Sequence, residues 1–401
     1  MPSPVARPSG YESFPYVERG VDFPGVELSD PSHRRSTYAA VLDEERAARV
    51  ERLFAENVII SFHDHPQLLP SDPAETFTYV RTKHEFTAFT ELRGAGLTAL
   101  FDKLFGAIGA TTWSGWRWDD LTTTLGMRLA DPAHQDGAVV ARAGKDILDA
   151  KRDGHIAFIM GIESAGAIEN EFDRIDVLYG LGIRQMGFVD ADSNTLGSGQ
   201  KEPRDAGLTT FGRRAVERMN ALGILIDVSH ASNQTSLDAI EASSKPIAIT
   251  HAGARAVWPT PRMKPDDVLK ACAGHGGVLG IEAPHTTVSH DHTTHTIESV
   301  MDHLQYAVDL MGIEHVAFGP DGFYSDHVGF HHATSANLGL SALTNAGELR
   351  YDRIAHVDGM ENPSESFRNV AGWLVEHGYR DSDIQAVLSG NILRLLNGVG
   401  R

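Results

Sequence analysis

The feature that most limits how this chain can fold is a set of short apolar runs that recur along it. Each run is followed by a polar turn and a stretch with helical spacing of apolar residues. The runs are NVIISFHDH (57–65), GLTALF (96–101), HIAFIMGIES (155–164), GIRQMGFVD (182–190), GILIDVSH (223–230), PIAITHAG (246–253), GGVLGIEA (276–283) and HVAFGPD (315–321). Eight buried strands that alternate with helices predict an α/β fold, a (β/α)8 TIM-type barrel. A doubly wound open sheet is the alternative.

Helical spacing predicts helices at about residues 42–55, 139–154, 209–223, 232–244 and 296–312. With 401 residues, 41% of them hydrophobic, the chain can bury a large core. We expect one domain over residues 1–401. It would have an N-terminal arm and leading helix at 1–50, barrel strands at 57–321 and C-terminal helices at 360–397.

The charge balance and the cysteine count narrow the classes of partner and site. Fifty-four acidic residues against 35 basic residues give a formal charge of −19, which argues against nucleic acid or an anionic membrane surface as a partner. Cys272 is the only cysteine, so a metal would be held by His, Asp and Glu. Neither a signal-peptide run at the N-terminus nor a membrane-length apolar run is present, which predicts a cytoplasmic protein.

Imidazole and carboxylate side chains follow most of the predicted strands. These strand-end residues are His63, His65, Glu163, Asp190, His230, His251 and Asp321. In a barrel of this type the carboxyl ends of all the strands meet at one mouth. Such a ligand set from several strands suits one or two divalent cations of the zinc class. Taken singly, each histidine could instead be a hydrogen-bonded polar residue at the end of its strand.

Three further segments are expected to have roles other than metal binding. Residues 284–295 and 322–350 are long polar insertions rich in histidine, and we expect solvated or substrate-lining loops there. The tryptophan-rich stretch at 111–120 would line a pocket or pack conventionally.

Five stretches of the chain resemble the renal or membrane dipeptidase family, and the likeness runs from about residue 57 to 397. They are GLTTFGRRAVERMNALGILIDVSH (207–230), KPIAITHAGARAV (245–257), RMKPDDVL (262–269), HVAFGPDG (315–322) and the segment from Gly359 to Leu396. The resemblance implies a binuclear zinc hydrolase on an amidohydrolase-like barrel, with a small-molecule substrate and a homodimeric assembly.

The resemblance also implies roles for single residues. Glu163 matches the bridging carboxylate, and the matching metal histidines are His63, His230 and His251. Two residues match the substrate machinery. Asp321 falls on the acid/base aspartate, and Arg262 falls on the arginine that holds the substrate carboxylate.

Two positions depart from the family pattern. His65 stands where the first strand usually carries an aspartate, and it faces the right way to be a ligand; Asp190 stands where a substrate-polarising histidine is usual. An aspartate cannot donate to a developing oxyanion unless it is protonated. From the resemblance as a whole we expect hydrolysis of an amide or dipeptide-like bond in a small carboxylate-bearing substrate. The alternatives are an isomerase, lyase or decarboxylase in which Asp190 is a ligand or base, and a catalytically silent metal-binding protein.

Overall fold

The computed structural model describes residues 12–30, 38, 40–104, 117–284, 296–324, 358–360 and 363–400. In this part of the chain ten strands form one sheet, and every strand pairing in it is parallel. The strands are β1 (Ile60–His65), β2 (Ala99–Leu104), β3 (Ala138–Ala141), β4 (Ile156–Ile162), β5 (Gln185–Gly187), β6 (Leu225–Asp227), β7 (Ala248–Ala252), β8 (Val278–Ile281), β9 (Val316–Phe318) and β10 (Gly322–Phe323).

The order of the strands is that of a barrel wall. It runs β10-β1-β2-β4-β5-β6-β7-β8-β9, and β3 adds to β4 beside this path. After β9 the chain returns to the first strand, where the Asp321 amide donates to the carbonyl of His63 at 3.0 Å. The eight predicted strands correspond to β1, β2 and β4 to β9, so the TIM-type fold class is confirmed and an open doubly wound sheet is not formed.

Helices follow most of the strands. They are α1 (Glu44–Glu56), α2 (Thr76–Arg81), α3 (Phe89–Gly94), α4 (Trp118–Ala133), α5 (Gly144–Asp153), α6 (Arg174–Leu181), α7 (Thr210–Leu222), α8 (Asn233–Ala242), α9 (Asp266–Gly274), α10 (Ile297–Met311), α11 (Pro363–Glu376), α12 (Asp381–Gln385) and α13 (Asn391–Val399). The leading helix α1 starts where Asp43 accepts a hydrogen bond from the Arg46 amide, so this side chain caps its N-terminus.

One predicted element is wrong at its start. The sequence pattern predicts a helix over residues 139–154, whereas Ala138–Ala141 form β3 and the helix α5 begins only at Gly144. The β-branched pair Val139 and Val140 lies opposite Ala157 and Phe158 of β4. Pairing with a buried parallel strand overrides the weak helical pattern of so short a segment.

The barrel interior is apolar below the site. Ile60, Phe62 and Phe101 pack there, with the rings of Phe62 and Phe101 edge to face at 5.1 Å. Ile392 and Leu395 of α13 join the same cluster, so this helix packs against the barrel core. Each such buried side chain contributes about 1.5–3 kcal/mol through the hydrophobic effect.

Two β-bulges change which side chains face inward. The register of β1 against β2 shifts by one residue between Ser61 and Asp64, and Phe62 packs in the core below while His63 and His65 reach the mouth above. An extra residue on one strand reverses the alternation of side chains beyond it. The bulge therefore turns both histidines toward the other strand ends.

The second bulge lies in β7, whose register against β8 shifts between Ile249 and Ala252. As a result, the consecutive side chains of Thr250 and His251 both reach into the site, where each contacts another strand-end residue. In a regular strand they would lie on opposite faces.

Cys272 of α9 should not react with thiol reagents in the native protein. Its side chain is fully buried. Burial raises the pKa of the thiol to about 12, so at about pH 8 almost none of the reactive thiolate is present. A chromogenic disulfide reagent should detect no thiol before denaturation and this single thiol after it. Native labelling as fast as in denaturant would show that α9 opens readily.

Within the described part of the chain, no helix combines the length and apolar character needed to cross a bilayer. The predicted histidine-rich loops fall mainly on residues 285–295 and 325–357, and most of the tryptophan-rich stretch falls on 105–116. These segments lie outside the described residues.

Candidate metal centre

Six of the predicted strand-end residues meet at the mouth of the barrel. His63, Glu163, His251 and Asp321 each offer one ligand atom, and these atoms all lie within 4.8 Å of one another. His65 joins them through Asp321, since its Nε2 is 3.2 Å from Asp321 Oδ1. The sixth residue, His230, joins them through Glu163. They come from five different parts of the barrel wall, as the convergence of strand ends requires.

Glu163 lies at the centre of the cluster, directly after β4. Its Oε1 is 3.2 Å from His230 Nε2, 3.7 Å from His251 Nε2 and 3.9 Å from His63 Nε2. The neighbouring strand approaches closely here, because a Cβ atom on Gly187 would lie 1.8 Å from the Glu163 carbonyl oxygen. A side chain at residue 187 would therefore displace the backbone that carries this carboxylate.

Asp321 follows β9 and faces the two histidines of β1. Its Oδ1 lies 3.4 Å from His63 Nε2 and 3.2 Å from His65 Nε2. The backbone of Asp321 has φ +56°, a left-handed conformation that costs a non-glycine residue on the order of 1 kcal/mol or more. Its side chain is 16% exposed, against 8% for Glu163, so it is the more accessible of the two carboxylates.

The geometry of His65 suits a metal ligand. Its Nδ1 donates to the carbonyl of Lys103 at 3.1 Å, and its ring stacks on Phe323 at 4.6 Å. Such a bond from the far ring nitrogen fixes the tautomer and aims Nε2 into the site. Burial disfavours a charged imidazole here, yet the hydrogen bond with Asp321 and the charge of Glu163 raise the pKa of His65 above its ordinary value. The two carboxylates thus attract positive charge to Nε2, and a bound cation would supply that charge in place of a ring proton.

The protonation state and the hydrogen bonding of His63, His251 and Glu163 suit a bound divalent cation. Burial holds the pKa of His63 and that of His251 well below the ordinary value, so both rings are neutral, as metal ligands must be. Among the described residues, His63 Nε2 and Glu163 Oε2 are buried without a hydrogen-bond partner. Buried polar atoms without partners are costly, and a bound cation would satisfy both.

Asp190 lies at the edge of the cluster. Its Oδ1 accepts a hydrogen bond from the Ala191 amide at 2.6 Å and lies 4.0 Å from His230 Nδ1. The side chain is 45% exposed. Asp190 thus borders the site beside His230, whereas His65 contacts Asp321.

Arg262 is buried beside the cluster and already paired. It donates to the carbonyls of His251 at 2.9 Å and Ser229 at 3.4 Å, and it forms an ion pair with Glu282. Glu282 follows β8 and is fully buried. A substrate carboxylate would therefore meet a guanidinium whose charge is balanced by a neighbouring carboxylate.

A layer of polar residues lies directly beneath the histidines, and none of its members is among the residues predicted from the sequence. Thr250, Asp227 and Lys103 form this layer, and all three are buried. Glu282 was also not assigned. A signal for both charged residues was present in the sequence. Lys103 comes two residues after the second run, and Glu282 directly follows the apolar residues of the seventh run, as Glu163 does in the third.

A known family matches most of this chain. The membrane dipeptidase family (peptidase family M19) matches residues 48–349. The chain belongs to the membrane dipeptidase family. The match spans the barrel strands and every residue of the centre.

Curated relatives of this dipeptidase-family chain include two fungal proteins. Dipeptidase tcpJ of Claviceps purpurea is 24% identical over 269 residues, which are 66% of this chain and 56% of tcpJ. Dipeptidase verJ of Clonostachys rogersoniana is 32% identical over 191 residues, which are 47% of this chain and 48% of verJ. The chain thus spans about half the length of the curated relatives it matches.

Solved structures show the same fold. An amidohydrolase from Pseudomonas aeruginosa superposes with a TM-score of 0.71 at 24% identity and covers 87% of this chain and 98% of its own. A metallopeptidase from Rhodobacter sphaeroides, liganded with a phosphinate mimic of the dipeptide L-Ala-D-Ala, gives a TM-score of 0.67 at 19% identity, with coverage of 86% and 99%. At these identities the likeness establishes the barrel architecture.

Proposed function

We propose that this chain is a metal-dependent hydrolase that cleaves an amide bond in a small, dipeptide-like substrate. The observation that carries the proposal is the meeting of four imidazoles and two carboxylates at the barrel mouth, with Glu163 at their centre. Membership of the membrane dipeptidase family supports the same class of reaction.

Each residue would have a distinct task. Divalent cations held by the cluster would polarise a carbonyl group and lower the pKa of water toward neutrality. Glu163 and the imidazoles would hold them. Asp321 would accept the proton of the attacking water at its carboxylate and pass that proton to the leaving amine. His65, 3.2 Å from Asp321 Oδ1, would keep this carboxylate in place.

We propose zinc as the metal, with two ions per chain. Imidazole and carboxylate ligands without thiolate suit zinc among other divalent cations. Glu163 has the position of a shared ligand, since His63 approaches it as well as His230 and His251. We also propose a homodimer, which rests on the family resemblance.

The positive charge of Arg262, where the substrate carboxylate would bind, is partly neutralised by Glu282. Because Glu282 balances the guanidinium, a free terminal carboxylate on the substrate should be favoured only weakly over a neutral terminus. Asp190, half exposed beside His230, would face the substrate and favour a cationic or hydrogen-bond-donating group there.

Metal content and product analysis together test this function. Metal-free protein would be loaded separately with Zn²⁺, Co²⁺ and Mn²⁺, freed of excess ion and analysed for bound metal. We expect about two equivalents of the activating ion, and release of free amino acid from dipeptides, dipeptide amides or N-acyl amino acids. His134→Gln alters an exposed histidine after α4, outside the proposed centre, and should bind as much metal as the wild type.

Two results would contradict the proposal in different ways. Protein that binds no divalent ion, and that gains no thermal stability from one, would exclude the metal centre. Protein that binds metal but turns over its substrates without adding water would support the isomerase, lyase or decarboxylase alternative.

A further inference from the structure

A single hydroxyl group lies beneath two of the proposed metal ligands. Thr250 Oγ1 is 3.1 Å from Nδ1 of His63 and 3.1 Å from Nδ1 of His251. All three side chains are fully buried. In each imidazole the other nitrogen, Nε2, faces the carboxylate cluster, within 3.9 Å of Glu163 Oε1. Whatever fixes the proton of the Thr250 hydroxyl therefore acts on both rings.

The hydroxyl proton is directed away from the histidines. Thr250 Oγ1 donates it to Asp227 Oδ2. Ser229, whose hydroxyl is 3.4 Å from Thr250 Oγ1, also gives its proton to Asp227, at 2.5 Å from Oδ1. Because a hydroxyl carries one proton, Thr250 Oγ1 can only accept from the two imidazoles.

Asp227 is held as a carboxylate, which can only accept. Its side chain receives further hydrogen bonds from Gln185 Nε2 at 2.9 Å and from the Thr250 amide at 3.1 Å, and Lys103 Nζ lies 3.7 Å away. Burial alone would raise the pKa of Asp227, but the charge of Lys103 and the hydrogen bonds from Ser229 and Thr250 keep that pKa below its ordinary value. The ionised carboxylate of Asp227 thus fixes the direction in which the Thr250 hydroxyl donates its proton.

We propose that Thr250 is a positioning residue that holds His63 and His251 in the tautomer with a protonated Nδ1 and an unprotonated Nε2, which is the form that can bind a divalent cation. A proton moved to Nε2 of either ring would leave two lone pairs opposed at 3.1 Å. Asp227 and Lys103 act through Thr250 and do not touch the cation. The inference rests on the metal centre of the proposed function and deepens it.

The test combines two substitutions at one position with a buried control. Thr250→Val removes the hydroxyl and keeps the shape of the side chain, whereas Thr250→Ser keeps the hydroxyl. Thr235→Val makes the same exchange at another fully buried threonine, on α8, whose hydroxyl bonds to Ser198 and Ser232. The readouts are Zn²⁺ affinity by competition with a chelator and histidine tautomers by ¹⁵N NMR of the metal-free protein.

We expect Thr250→Val to weaken Zn²⁺ binding about 10–100-fold, the range typical for groups that orient metal ligands. Thr250→Ser should restore the affinity, and Thr235→Val should not change it. In metal-free wild type both His63 and His251 should carry the proton on Nδ1, and Thr250→Val should lose this preference.

The inference can fail independently of the proposed function. Wild type that binds Zn²⁺ while Thr250→Val binds it equally well would overturn the role of Thr250 and leave the metal centre standing. If Thr250→Val does not fold, the wild-type tautomers decide, and a proton on Nε2 of either ring would contradict the proposal. Wild type that binds no Zn²⁺ would contradict the zinc centre on which the inference rests.

Discussion

Replacing Asp321 by asparagine should lower turnover at least about 100-fold, while most of the bound metal remains. General acid/base residues typically contribute about 10²–10⁴-fold. Asparagine keeps an oxygen at Oδ1, near His63 and His65, but cannot take and return a proton near neutral pH. Turnover of a good dipeptide-like substrate, measured with the metal content of the same sample, tests this expectation.

The same substitution at an exposed aspartate is the control for Asp321→Asn. Asp153→Asn alters an exposed aspartate at the end of α5 and should leave both activity and metal content at the wild-type level. Asp321→Asn protein that turns over normally would remove this residue from the chemistry. Loss of metal together with activity would instead assign Asp321 a ligand role only.

Replacing Glu163 by glutamine should have the largest effect on metal binding. Replacing a residue that hydrogen-bonds to a metal ligand typically weakens metal affinity about 10–100-fold. Replacing Glu163, which would itself bind the metal, should weaken the affinity by more than that. The metal-free variant should be no less stable than metal-free wild type, because in the wild type Glu163 is buried and its Oε2 lacks a hydrogen-bond partner among the described residues. Isothermal titration with Zn²⁺ and thermal unfolding with and without the ion would measure both effects.

The control for this exchange is Glu217→Gln on the exposed face of α7. It should bind Zn²⁺ like the wild type and gain the same thermal stabilisation from it. Glu163→Gln protein that keeps wild-type affinity would show that the ions are held elsewhere. Variant protein that unfolds without metal would show instead that Glu163 mainly supports the packing of β4.

Local pattern in the sequence was sufficient for the barrel and for most of the centre. An apolar run of strand length that ends in an imidazole or carboxylate predicts its own position at the mouth, because the carboxyl ends of parallel strands share one edge. His63, Glu163 and Asp321 were found in this way, and the structure brings their side chains together. The weak point was β3, whose few residues have no distinctive pattern of their own.

The two bulges could not be predicted from that pattern. In regular strands Phe62 and His63, or Thr250 and His251, would face opposite ways. The extra residue in β1 lets Phe62 pack in the barrel core while the next residue, His63, also faces the barrel interior at its mouth. The extra residue in β7 lets the adjacent side chains of Thr250 and His251 enter the same site. A bulge arises from the pairing of two strands, so one strand read alone does not reveal it.

The sequence by itself determined the alternation of strands and helices, the family and the chemical types of the ligands, since these depend on neighbours along the chain. Only the tertiary structure decided which partners those residues have. Arg262 meets Glu282, and Thr250 meets Asp227 and His63, across separations that no local periodicity encodes. Closure of the barrel places strand ends that are distant in the chain within hydrogen-bonding distance, and burial then makes each polar contact costly to leave unmade.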